Sequence, residues 1–505
     1  MNFLSLNILI LSPLIAAIII ASPLFGGNRV YIRRFSKTFA TFHFLYSLFF
    51  VLNQKAGTEN LYTELTMFGK NWLETWGISF AFGLDGFTAL LVSFTSLIFL
   101  LAFILSKSSI RYKHKMYYSL MFCLMTAVLG IFTAKDIFLF FIFWEAELIP
   151  AYLLIAEWGS ENSKKSAMKY LLYTFGGSIF IFASIIGLYY YGFASNGELS
   201  SSIDYLRVYL SDGICPVYMQ MLMFIGLFIG FAVKLPLFPF HMWLPDSHTD
   251  SAAPVSIILS AILLNTGAYG IIRFNLVLFP EIFTKAAPLI MIFAVINVLW
   301  TSMAALKQQN IKSIISYTNI AYMGIFLLGL SSLNKIGIEG AVFILFAHGF
   351  TVAGLFMISD FIYQNVKTYN LREINGLGKN MPVLMMCAYV ICFSAAGIPF
   401  TCMFPAVFLS YTGAVCADYG MLYKVLAASG ILGNIVISAC ILNLFHGLFC
   451  KKYTMQIKNI YDISGHKATI AVTIVLCIII LGVFPDAIIP VYDAVVENML
   501  EILRV

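Results

Sequence analysis

Apolar windows long enough to cross a bilayer recur along the whole chain. About 30 Å of hydrocarbon needs roughly 20 residues of helix, and such windows fall near 7–26, 37–54, 84–106, 116–134, 137–156, 168–194, 217–245, 252–274, 287–306, 312–330, 336–359, 382–416, 424–449 and 468–486. A bilayer core offers backbone groups no water, so each segment must satisfy its own hydrogen bonds, as helices do. The expected fold is therefore an all-α polytopic membrane protein of about fourteen transmembrane helices. Composition agrees: 61% of residues are hydrophobic and 11% charged, against roughly 25% charged in soluble domains. The first window has no basic stretch before it, so it is expected to be a spanning helix rather than a cleaved signal peptide.

Alternating the loops between two sides sorts the basic residues unequally. With the N-terminus outside, twenty of the thirty Lys and Arg fall on the inner side, in the loops that begin near Arg29, Lys107, Lys164, Lys307, Lys367 and Lys451, and nine fall outside. The positive-inside rule expects such a bias, which places both termini on the intermembrane or periplasmic side. The net charge of +6 comes from these scattered loops and forms no stripe, which excludes a nucleic-acid partner. The nine cysteines include no CxxC pair, so the spacing for iron–sulfur or zinc ligation is missing. They are expected to be small core residues.

Two windows exceed one helix and contain prolines: 217–245, with Pro236 and Pro239, and 382–416, with Pro399 and Pro405. Each is the fourth member of a five-helix block, 116–274 and 287–449, and the blocks are offset by about 170 residues. Five is odd, so the second block runs through the membrane upside down relative to the first. Inverted repeats with a broken helix at matching positions point to a transport site near the mid-plane. Residues 1–115 then form an N-terminal group of three helices with an outer hairpin near 55–80. Residues 450–505 hold the last span and an amphipathic segment, AIIPVYDAVVENMLEILRV, suited to the membrane surface or to a neighbour.

Few ionisable residues lie inside the windows: Glu145 and Glu147 in FFIFWEAELIPAYLLI, Lys234 and His241 in FAVKLPLFPFHMWLPD, and His348 in FILFAHGFTVAGLF. A charge at the bilayer centre costs roughly 2.5–3.5 kcal/mol on insertion scales, and such residues mark ion and proton pathways. Lys234 sits where prolines free carbonyls to stabilise an ammonium. A nearby carboxylate would set its charge, making the pair a proton-loading switch. Glu145 and Glu147 are about 200° apart on a helix, so at most one belongs to a given pathway, and Glu145 is taken as the partner of Lys234. His241 and His348 read either as buried neutral histidines or as proton relays. Asp246 and His248, in LPDSHTD, stand at the inner end of the broken helix, where solvation alone accounts for them. Asp85, in FGLDGF, begins a helix and suits its N-terminal dipole. No phosphate loop, haem motif, flavin site or nucleophile–base arrangement is present.

FGLDGFTALL, LFFIFWEAELIPAYLLIAEWG, SAMKYLLYTFGGS, FAVKLPLFPFHMWLPDSHTDSAAPVSIILSAILL, GAYGIIRF, KSIISYTNIAYMG and FAHGF together resemble the antiporter-like subunits of respiratory complex I, closest to the chain M or subunit 4 type and to the plastid-type D chain. The likeness covers about 75–410. It implies a proton-translocating membrane subunit of NADH:ubiquinone oxidoreductase with no redox catalysis or cofactor of its own. NADH, FMN, iron–sulfur clusters and quinone would belong to partner subunits. Its neighbours would be other membrane-arm subunits, similar antiporter-like chains among them, and the lipid bilayer. The resemblance assigns the switch pair to Glu145 and Lys234, and matches His241 and His348 to family histidines on a polar path along the mid-plane.

The sequence also departs from the family pattern. Where LLKTGAYG is usual it has LLNTGAYG, with Asn265; where SHMG is usual it has AYMG, with Tyr322; and where the second broken helix carries a glutamate it has Val407. Asn265 and Tyr322 still hydrogen-bond but hold no charge near neutrality, and Val407 does neither. The alternatives are a re-routed path through His348 or a structural subunit that no longer pumps. Multi-subunit sodium/proton antiporters and membrane-bound hydrogenases share the Glu/Lys switch and are rival assignments. A stand-alone solute transporter lacks a convergent set of substrate groups. The richness in Phe, Ile, Tyr, Asn and Lys suits an AT-rich genome and favours the inner mitochondrial membrane, with a bacterial cytoplasmic membrane as the alternative.

Overall fold

The computed structural model describes residues 3–23, 26, 28–53, 65–66, 72–196, 200–211, 215–417, 419–452 and 460–504. Its helices are α1 (Phe3–Ala21), α2 (Arg29–Leu52), α3 (Gly86–Ser109), α4 (His114–Thr133), α5 (Ile137–Ala146), α6 (Leu148–Trp158), α7 (Ser163–Asn196), α8 (Ile203–Ser211), α9 (Val217–Lys234), α10 (Trp243–Asp250), α11 (Ala253–Ile258), α12 (Leu264–Gly270), α13 (Pro280–Lys307), α14 (Ile311–Leu330), α15 (Lys335–Val366), α16 (Pro382–Ala395), α17 (Met403–Val415), α18 (Met421–Phe445), α19 (His466–Val483) and α20 (Ile489–Arg504). Among the described residues twelve helical spans are long and apolar enough to cross a membrane, α5 with α6 counting as one and 253–276 as another. The shorter apolar helix Leu6–Ala21 and the pair α16 and α17 occupy the remaining windows. Every apolar window in the sequence thus corresponds to helix.

The spans differ in what surrounds them. The apolar centre of α15 and that of the 253–276 span are wholly buried, whereas α2 and α19 bury less than a third of theirs. Lipid is as apolar as leucine, so helices in a membrane associate chiefly by close packing of small residues. α15 shows this: a Cβ on Gly340 would lie 2.5 Å from the Ser410 backbone nitrogen of α17, so only glycine lets the two helices approach this closely.

Both proline-cut windows are broken. Pro236 has no N–H to continue the α9 ladder, and the Leu237 N–H instead reaches five residues back to the Ala232 carbonyl, at 2.9 Å. The chain crosses residues 235–242 as turns and a short 3₁₀ segment before α10 begins. In the second break the Ile398 N–H likewise reaches back five residues to Phe393, at 3.1 Å, just before Pro399. Gly397 there takes φ +71°, which glycine adopts freely.

The span after the first break is itself irregular. Two π-helical stretches, Leu259–Leu263 and Ile271–Leu276, flank α12, which carries Asn265. Such segments occur frequently at functional sites.

The outer hairpin expected over 55–80 is described only in part, since 54–64 and 67–71 lie outside the described residues. β1 (Leu65–Thr66) pairs antiparallel with β2 (Ala81–Phe82), Leu65 opposite Phe82 and Thr66 opposite Ala81. The amphipathic C-terminal segment forms α20, and it packs on its own bundle, against α3 and α15.

Candidate proton-transfer site

The FWEAELIP stretch folds as two helices because of Pro150. A proline at that position has no N–H for the carbonyl of Ala146, four residues back, and its ring crowds that carbonyl. α5 accordingly ends at Ala146, α6 starts at Leu148, and Glu147 occupies the junction. This turns the Glu147 side chain into the bundle, where it is fully buried.

Glu147, not Glu145, is the ion-pair partner of Lys234. The Glu147 carboxylate and the Lys234 ammonium are in direct contact, and their side chains are 0% and 1% exposed. Glu145 lies round the helix, half-buried, close enough to Lys234 to feel its charge and facing the Ser178 hydroxyl. The assignment of Glu145 as direct partner is thus corrected. The two-residue offset carries the acids to opposite sides, as their spacing requires, and the junction selects Glu147. Pro150, three residues after Glu147, was the sequence signal for this.

Lys234 is the last residue of α9, where the negative end of the helix dipole favours a cation. Its ammonium donates to the Tyr170 hydroxyl at 3.1 Å. It also lies 5.3 Å from the Tyr170 ring centroid and 5.6 Å from that of Trp144, within range of a cation–π attraction. Trp243, across the break, donates its indole N–H to the Val233 carbonyl at 2.9 Å and packs on Tyr170. The two ends of the broken helix therefore meet around the lysine.

The histidines follow. His241 sits in the 3₁₀ segment of the break, buried against Phe238, and neither ring nitrogen has a protein partner among the described residues. His348, in the middle of α15, bonds through Nε2 to the side-chain oxygen of Asn319 on α14. Tyr322, one turn further along α14, donates to the Ala395 carbonyl beside the second break, and its ring lies 5.7 Å from that of His348. Asn265 donates to Ala261, at 3.0 Å, and to Leu345, at 3.1 Å. Thr351, Ser394 and Cys402 form a small hydrogen-bonded group at the second break, and Val407 is buried in α17. Asn319 escaped the sequence argument because an asparagine in an apolar run carries no charge to mark it.

Asp246 is exposed and pairs with Lys169 at 2.7 Å, as solvation at the helix end suggested. His248 is not solvated: it is fully buried in α10, its ring 4.7 Å from Phe356. Asp85 caps α3, accepting from the Thr88 backbone at 2.8 Å while Thr88 answers its N–H, and it pairs with Arg273. Among the described residues no three His, Cys, Asp or Glu side chains cluster to hold a metal.

A polytopic helical bundle with a lysine–glutamate pair buried at a helix break belongs to the class of ion-translocating membrane proteins. Comparison narrows the class. Residues 134–438 match the family described as NADH:quinone oxidoreductase/Mrp antiporter, transmembrane, and the chain belongs to that family. It is 33% identical over 429 residues to NAD(P)H-quinone oxidoreductase chain 4 2 of Thermosynechococcus vestitus, covering 84% of this chain and 78% of the relative. It is also 33% identical over 434 residues to NADH-quinone oxidoreductase subunit M of Rickettsia prowazekii, covering 85% of each. A chain in the structure of respiratory complex I from Thermus thermophilus with bound NADH superposes over 99% of both chains, with a TM-score of 0.87 and 25% identity.

Proposed function

We propose that the chain is a core membrane subunit of an NADH:quinone oxidoreductase and contributes to proton translocation coupled to electron transfer in its partners. The observation that carries this is the fully buried Lys234–Glu147 pair at the broken helix. A buried pair contributes little net stability, because desolvation offsets the attraction, and removing one partner leaves an uncompensated charge. That sensitivity suits a switch: a proton arriving on Glu147 leaves the Lys234 ammonium without its counter-ion and favours release of the lysine proton along the mid-plane. Glu145, which also senses Lys234, is a second acid able to bias that step.

From Lys234 the route continues through neutral hydrogen-bonding groups. Asn265, Tyr322, Asn319 and His348 line it, with His348 as its proton carrier and His241 as a relay beside the first break. The blocks 116–274 and 287–449 act as inverted repeats, which the two breaks with their matching five-residue hydrogen bonds support. The chain works beside other membrane-arm subunits of similar type, and NADH, FMN, iron–sulfur clusters and quinone reside in partners. Its membrane is the inner mitochondrial or bacterial cytoplasmic one, with both termini on the outer side.

The test is the proton-to-electron ratio of the intact complex with Lys234→Met. A lowered ratio is expected; an unchanged one favours a structural subunit that does not pump, a reading that Asn265, Tyr322 and Val407 support. Sodium-dependent exchange in a purified assembly lacking redox subunits would instead indicate an antiporter.

A further inference from the structure

Cations converge on one corner of the face that carries most of the loop lysines and arginines. α2 and α19 start at this face and α3 ends there, and α3 packs against both. Arg33 of α2 donates to the Ile110 carbonyl, just past α3, at 2.9 Å. Lys37, one turn further along α2, is within electrostatic reach of Arg33 and of Lys107 in the last turn of α3. His466, the first residue of α19, is within reach of Lys37, Lys107 and Lys467. Lys107 is exposed, and Arg33, Lys37, His466 and Lys467 are part-exposed.

Like charges this close repel, and little in the chain offsets them. Asp360, near the end of α15, is 5% exposed and accepts from the Ser109 hydroxyl at 3.0 Å and the Gln364 amide at 2.7 Å. Its charge is shared between Lys467 and Lys312, which is buried in the first turn of α14. Among the described residues Arg33, Lys37 and Lys107 have no carboxylate within 4 Å. Lysines elsewhere on this face do find one: Lys113 contacts Glu157, and Lys169 pairs with Asp246 at 2.7 Å. Helix dipoles add to the excess, because Arg29 and Lys467 lie in the first turns of α2 and α19, where the positive end favours anions. The positive-inside bias accounts for cations on this face, but not for their gathering at one corner without acids.

The surface that continues from the cluster is apolar. Among the described spans α2 and α19 bury the least of their apolar centres, and Phe42 and Leu45 of α2 and Val472 and Leu476 of α19 are exposed. Cations at one end of outward-facing apolar helices match a phospholipid in both charge and polarity. Basic pockets between spanning helices hold anionic lipid head groups for this reason.

We propose that the basic ends of α2, α3 and α19 bind an anionic phospholipid, its phosphate held by Arg33, Lys37 and Lys107 and its acyl chains laid along α2 and α19. The bound lipid supplies the negative charge that the chain itself lacks at this corner. The site is separate from the Lys234–Glu147 pair and does not depend on whether the chain pumps.

The test uses the intact complex in detergent and a phosphatidylglycerol with a photoreactive acyl chain, whose cross-links are mapped to peptides of α2 and α19. Labelling is expected to be lost in an excess of unlabelled phosphatidylglycerol and to persist in the same excess of phosphatidylcholine. Lys37→Gln combined with Lys107→Gln is expected to reduce labelling about tenfold or more through the loss of two head-group contacts. Lys164→Gln combined with Lys165→Gln, at exposed positions on the same face, should leave it unchanged. Equal competition by phosphatidylcholine, or full labelling of the Lys37/Lys107 double variant, overturns the proposal. Equal competition by inorganic phosphate would show a free-anion site, and no labelling of α2 or α19 would show that a neighbouring subunit covers the cluster; either result also overturns it. If the double variant does not assemble, the competition in the wild-type complex decides alone.

Discussion

Lys234 has two acids in its field and an ion pair with one. Truncating one member of a buried pair commonly costs about 3–5 kcal/mol, since the other is left charged without water. Glu147→Gln should therefore lower both the thermal stability of the assembled complex and its proton-to-electron ratio. Glu145→Gln, at a half-buried position with no direct lysine contact, should lower stability far less. Equal losses in thermal melting would show that the two acids share the lysine. Lys234 and His241 were legible in the sequence because a charge or an imidazole in an apolar run has few bland explanations. Which glutamate meets the lysine was not, because it depends on a helix junction that Pro150 forces and not on spacing alone. Lys312 and Asp360 were hidden, and His248 was read as solvated, for a related reason. They sit within a turn or two of helix ends, where solvation is the default expectation, and only the packing of α3, α10, α14 and α15 shows that they are buried.

The broken helix is held as firmly from outside as by its own prolines. A Cβ on Gly267 of α12 would lie 2.9 Å from the Leu235 backbone nitrogen and 3.2 Å from the Lys234 Cβ. Gly267→Ala should force α12 away from the break. Overpacking of this kind costs typically about 1–3 kcal/mol, and the expected result is a lowered proton-to-electron ratio together with a lower melting temperature. A wild-type ratio would mean that the break tolerates displacement. The two breaks were legible from proline placement within overlong windows. The π-helical stretches around Asn265 were not, since a one-residue expansion of the backbone ladder leaves no mark on apolar periodicity in a span buried on every side.

For the molecule as a whole, the helical spans followed from length and apolarity alone, because a bilayer leaves the backbone no other way to satisfy its hydrogen bonds. Where α20 lies did not follow. An amphipathic helix suits a membrane surface, a neighbour or its own bundle equally well, and contacts with specific groups decide. Lys335 bonds to Asp493 at 2.7 Å and to Glu497 at 2.8 Å, while a Cβ on Gly86 would lie 1.7 Å from the Val491 carbonyl oxygen. The exposed ion pairs are worth about 1 kcal/mol or less, so Lys335→Ala should barely change the melting temperature. Gly86→Val should displace α20 and lower it clearly. Protease cleavage near residue 488 would report the displacement, and unchanged cleavage would show that other contacts hold α20.

The contact of α20 with the start of α3 also sets a timetable. Synthesis proceeds at about 5–20 residues per second, and Gly86 precedes Ile489 by about 400 residues. The Asp85 cap and the Gly86 backbone therefore emerge tens of seconds before the helix that covers them. Until then that end of α3 is open to water or to other proteins that guide membrane insertion, and a ribosome that stalls before α20 leaves a chain whose spans are all made and whose last seal is missing.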